Sequence, residues 1–172
     1  REVYGDENRE VLIPSNLWIL STMNTADQNV FTLDTAFQRR WIMKHIENNV
    51  LKADHADKEI GGTGINWGVF ATVINDMVVD MSVDVSSSED KRLGAYFVGL
   101  RELQADRFPE KVLKYLWDDA FKMDREAVFN DQLKSLETVI ETYDTAEKSK
   151  LKTVLRASVY EKMLLKMEEL KI

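Results

Sequence analysis

The run Leu17-Trp18-Ile19-Leu20, followed by Ser21-Thr22-Met23-Asn24-Thr25-Ala26-Asp27, constrains this chain more than any other stretch. A short apolar segment of large and β-branched residues reads as a strand buried on both faces, the habit of a parallel sheet covered by helices. Side chains just beyond the carboxyl ends of such strands face the crevice where open α/β sheets take ligands. Asn24 is therefore the first candidate functional residue, since its amide both donates and accepts. A strand-end turn asparagine is the plainer reading of the same position. Further on, Trp41-Ile42-Met43-Lys44-His45-Ile46 reads as a second strand, and Thr35–Arg40 as a short helix with Asp34 at its N-cap. That helix is short for a parallel crossover, so neighbouring strands are expected from outside this segment. The opening at Arg1, without a methionine, is consistent with a piece of a longer protein.

Composition narrows the class of function. The 172 residues are 44% hydrophobic and 31% charged, which suits a folded globular chain. A net charge of −7 argues against a general nucleic-acid-binding surface, which needs clustered Lys and Arg to neutralise phosphates. The absence of cysteine excludes disulfides and thiolate metal sites. His45 and His55 lack metal-ligand spacing and read as surface or sheet-edge residues, so no metal site is expected. With no apolar run near the roughly 20 residues that span a bilayer, the expectation is a cytoplasmic protein without membrane contact.

From Ile65 onward the pattern becomes helical. Ile65–Val85 is an amphipathic candidate ended by Ser86-Ser87-Ser88. Pro109 suits the first turn of a helix reaching about Met123, with Val112, Leu113, Leu116, Trp117 and Ala120 on one face. Another helix is expected from Glu126 to Tyr143. A last one, starting near Asp144 and Glu147, carries Leu151, Leu155, Val159, Met163, Met167 and Leu170, its methionines filling core. Gly61-Gly62-Thr63-Gly64 has no following lysine and reads as a flexible connector rather than a phosphate loop. Met77-Val78-Val79-Asp80 imitates a strand ending in a metal-binding aspartate but keeps helical spacing and has no Glu after it.

The run Ile13-Pro14-Ser15-Asn16-Leu17-Trp18-Ile19-Leu20, then Met23-Asn24-Thr25-Ala26-Asp27, then Asp34, Ala36 and Arg39-Arg40-Trp41, resembles the McrB-type branch of the AAA+ NTPases. Lys91-Arg92-Leu93-Gly94-Ala95-Tyr96-Phe97 and Lys114-Tyr115-Leu116-Trp117-Asp118-Asp119-Ala120-Phe121 are similar to two stretches of that family's helical lid. There are two departures: Gln28-Asn29 where the family usually has Arg-Ser, and Ala95 where it usually has His. The resemblance implies an α/β plus all-α fold, the last strands of a parallel AAA+ sheet over residues 1–60 followed by a helical lid over 61–172. It also implies that Asn24 is a sensor-1 residue, bonding the γ-phosphate or the attacking water. Arg39 or Arg40 would be an arginine finger, with neither singled out; the alternative for both is an exposed pair bridging to Asp27 or Asp34. Arg92 is either a lid residue that contacts phosphate in cis or a solvated member of Asp90-Lys91-Arg92.

Two functions of different class follow. In one, the chain is the C-terminal part of a McrB-like GTPase or ATPase motor in a DNA restriction or defence complex. The full-length protein would use GTP or ATP with magnesium, while this stretch, which has no phosphate loop, would be inactive alone and bind no nucleotide tightly. Its partners would be further copies in a ring and a McrC-type nuclease subunit, with DNA met only through regions absent here. In the other, the chain is a nucleotide-independent scaffold that keeps the AAA+ shape.

Overall fold

The structure is a computed structural model, and it describes residues 14–22, 35–81 and 89–171. Two compact units divide at the Trp41–Ile42 bond, Arg1–Trp41 and Ile42–Ile172.

No strand occurs among the described residues, which corrects the expectation of a parallel sheet. The only pairings of strand type found there are the isolated antiparallel bridges Glu59–Asn66 and Phe129–Leu155. Leu17–Leu20 forms no ladder, and Trp18 and Leu20 are 86% and 91% exposed. Residues 42–49 are likewise irregular, with Ile42, Met43 and Ile46 exposed. A strand buried on both faces exists only where flanking strands take up its backbone groups and helices cover it; high β-propensity does not supply them. In the first unit the helix expected after position 34 is present as α1, Thr35–Gln38.

The second unit is helical. Its largest helices are α2, Trp67–Asp80, and α6, Ala157–Leu170, which pack against each other. Between them lie α3 over 108–120, α4, Leu136–Thr145, and α5, Lys150–Val154. In α2 the large buried side chains are Trp67, Val69, Phe70, Val73, Ile74 and Val78, with the small Gly68 and Ala71 buried beside them. The aromatic spine of the core crosses elements. Phe70 meets Phe108 edge-on at 5.2 Å, and Phe108 stacks on Tyr143 at 6.1 Å. Met163 is fully buried, in keeping with methionine as core filling.

Pro109 does stand at the start of α3, but the helix is wider than an α-helix. The Lys114 N–H reaches the Pro109 carbonyl, and the Phe121 N–H donates to Leu116 O at 2.9 Å, both five residues back. The long helix expected over 126–143 is replaced by a turn at Arg125–Ala127, a bridge residue at Phe129 and a later start at Leu136. Ser135 sets that start through a reciprocal capping box with Thr138. The final helix is broken at Leu155 because its backbone neighbours are used elsewhere. Asn130 N–H donates to Val154 O at 2.9 Å, and Arg156 N–H to Val128 O at 2.8 Å.

Residues 61–64 form a tight turn, not a loose connector. Ile60 and Ile65 pair across it at 2.9 Å, and the buried Thr63 hydroxyl donates to Ile60 O at 2.7 Å. Gly62 and Gly64 have φ of 71° and 73°, where a side chain would strain the backbone. His55, expected at a surface, is buried.

Candidate functional site

Asn24 lies outside the described residues, as do Asp27 and Asp34. Arg39 and Arg40 follow α1, where the backbone tightens: Arg39 N–H bonds Thr35 O at 3.1 Å, while Arg40 N–H reaches only to Phe37 O at 3.0 Å. Phe37 and Trp41 stack at 5.7 Å across this turn, as side chains four apart on a helix do. Both arginine side chains are exposed. A planar, permanently charged fork held out in water is a donor set for phosphate or carboxylate.

Arg92 belongs to the second unit, half-buried at the head of a segment that four other positions hold in place. Asn75, in the middle of α2, donates to Leu93 O at 2.9 Å and accepts from Leu93 N–H at 2.7 Å. Asn48 donates to the same carbonyl at 3.0 Å and accepts from Ala95 N–H at 3.0 Å. Trp67 Nε1–H donates to Ala95 O at 3.2 Å, and the Tyr115 hydroxyl to Lys91 O at 3.0 Å. Beyond the short 3-10 turn Glu89–Lys91, the backbone of this segment thus gains side-chain partners. Phe97 packs on Tyr115 at 4.9 Å, and His55 sits 5.8 Å from the exposed Tyr96 ring. Ala95 contributes only its backbone to these bonds. A cationic residue at position 92 is therefore carried on a fixed backbone.

The asparagines and Trp67 were not singled out from the sequence. Asn75 gave a signal: a helix-disfavoured amide between Ile74 and the buried Val78 has to be satisfied by something outside its own helix.

Burial holds the Tyr115 phenol up to about 12, with Asp119 and Asp90 adding to the effect, and burial pushes Tyr143 higher still, aided by Asp144. Such groups keep their protons in the folded chain at a pH where the unfolded chain has lost them. Stability should be unaffected by them below the ordinary tyrosine value of 10.0 and fall progressively as pH rises from there through 12. Tyr143 Oη is buried with no hydrogen-bond partner among the described residues. Tyr143→Phe is thus expected to preserve stability at pH 7 and to flatten the alkaline loss, measured as urea midpoints across that range.

Comparison with known proteins bears on both units. The chain is similar to a component of a type II restriction enzyme. Over 150 residues it is 33% identical to the BsuMI component YdiS of Bacillus subtilis strain 168, an alignment covering 83% of this chain and 42% of that protein. The chain therefore spans less than half the length of this curated relative. No protein-family profile matches it, and no solved structure matches it significantly. Among the described residues no helix is long and apolar enough to cross a membrane.

Proposed function

We propose that the chain serves in a DNA restriction or defence complex, as part of a McrB-like component that hydrolyses GTP or ATP. The observation that carries this reading is the similarity to the BsuMI component. The run Asp34-Thr35-Ala36-Phe37-Gln38-Arg39-Arg40-Trp41 supports the finer part, because it carries two exposed guanidinium groups directly after α1. In this reading one of them reaches the nucleotide held by a neighbouring copy and neutralises charge as the γ-phosphoryl group transfers. Asn24 orients the attacking water or the γ-phosphate, and Arg92 is a further candidate for a phosphate contact. Among the described residues no three His, Asp or Glu side chains converge. This chain's own contribution is positive charge and an amide. A McrC-type nuclease and further copies of the same chain are the proposed partners.

The test is nucleotide hydrolysis by the natural protein that carries this sequence, with GTP and ATP compared. Wild type is mixed with increasing fractions of Arg39→Ala or Arg40→Ala protein. A finger acting in trans contributes about 10³–10⁵ in rate, so activity should fall as the critical variant is mixed in, whereas mixing in the other variant should leave it essentially unchanged. A protein that neither binds nor hydrolyses either nucleotide would instead be a scaffold of the same complex.

A further inference from the structure

We infer that the recess beyond the end of α3 binds a carboxylate carried on an apolar chain, such as an acidic side chain flanked by apolar residues on a partner protein. The recess has a volume of about 400 Å³ and is lined chiefly by Trp117, Lys122, Arg125, Phe129, Leu133 and Lys134. That volume suits one or two side chains rather than a folded surface.

Arg125 is the built part of the site. Its guanidinium lies 4.7 Å over the Trp117 ring, and its Nε–H donates to Trp117 O at 3.0 Å. Trp117 in turn meets Phe129 edge-on at 5.1 Å, and both rings are buried, so the platform beneath the guanidinium is rigid. With Nε committed, the two terminal nitrogens of the fork have no partner among the described residues. An arginine fixed in this way offers a preorganised pair of parallel donors, the arrangement that a carboxylate accepts bidentately.

Charge decides between a carboxylate and a phosphate. Lys122, Arg125 and Lys134 bring three positive charges to the lining, while Asp124 and Glu126 bring two negative ones, leaving +1. Lys134 is already engaged with Glu126 at 3.4 Å, whereas Lys122 has no ion pair among the described residues. A single negative charge matches this balance, and a phosphate dianion exceeds it. The recess is also opposite in sign to the chain as a whole, at −7, which favours an acidic partner here. Met123, Phe129 and Leu133 supply the apolar wall on which the rest of such a ligand would lie.

The experiment follows N–H resonances of the isotope-labelled 172-residue chain during titration at low ionic strength. Three probes are used: 4-methylpentanoate, its neutral amide and inorganic phosphate. The carboxylate is expected to move resonances of residues 117 and 122–134 and to saturate, while the amide moves them little. Arg125→Lys keeps the charge but loses the fork, and is expected to weaken the carboxylate by about tenfold or more. Lys122→Gln, at an exposed position, should keep the fold and weaken it by about threefold at low salt. Equal response to the amide, stronger response to phosphate, shifts elsewhere, or unchanged affinity in Lys122→Gln would each overturn the assignment. If Arg125→Lys fails to fold, the Lys122→Gln result and the probe comparison still decide it.

Discussion

Trp67→Ala is expected to lower the unfolding free energy by about 3–5 kcal/mol, the range for deleting a buried aromatic side chain. Trp67 is fully buried at the first position of α2, and it stacks on Phe70 at 6.1 Å. Phe70 passes the contact to Phe108 and thence to Tyr143, so the cavity would open at one end of the spine that joins α2, α3 and α4. Collapse around it is opposed by neighbours in fixed turns. Ile65 is pinned by the Thr63 turn, and Gly68 packs so closely on Leu51 and Ala56 that a Cβ there would lie 3.0–3.1 Å from their atoms. Trp67→Phe separates volume from hydrogen bonding. It keeps most of the ring but leaves Ala95 O without its indole donor, for an expected loss of about 1–3 kcal/mol. Urea unfolding of both variants checks the pair. A loss below 1 kcal/mol for the alanine variant would mean that the spine repacks freely.

Elements whose apolar spacing is satisfied within the second unit were legible in the sequence. The α2 face, the Pro109 start and the buried series from Leu151 to Met163 all follow from a 3.6-residue period. What could not be read locally is where backbone groups are claimed from a distance. Leu155 looks like any other helical leucine until Phe129 pairs with it and ends α5. The same pairing accounts for the missing helix over 126–135, which contains no glycine or proline to announce a break. Leu17–Leu20 failed for the opposite reason: its pattern demands partners on both sides, and among the described residues it finds none. The candidate residues divide likewise. Arg39, Arg40 and Arg92 could be named from motifs, but the amides and rings that fix residues 91–95 come from positions far apart in the chain, and only Asn75 betrayed itself by its place in a helix.

That place makes Asn75→Asp a sharper probe of the segment than simple deletion. Asn75→Ala leaves the Leu93 N–H, part of a fully buried residue, without an acceptor, while Leu93 O keeps its second donor, Asn48. The expected loss is about 1–3 kcal/mol at any pH near neutrality. An aspartate in the same position still accepts from the Leu93 N–H, but when ionised it sets a negative oxygen against Leu93 O at the present 2.9 Å contact. When protonated, its O–H donates there as the amide does now. The folded state therefore favours the protonated form and raises that carboxyl above its unfolded value of about 3.9. Between the two values the unfolded chain binds fewer protons than the folded one, so stability falls as pH rises, by up to about 1.4 kcal/mol per pH unit. Asn75→Asp should be close to wild type at pH 3.5 and at least as damaged as Asn75→Ala at pH 7, whereas Asn75→Ala shows no such recovery in acid. Thermal midpoints of the three proteins across that range test it. Parallel curves for the two variants would show that Leu93 draws its backbone partners from water instead of from α2.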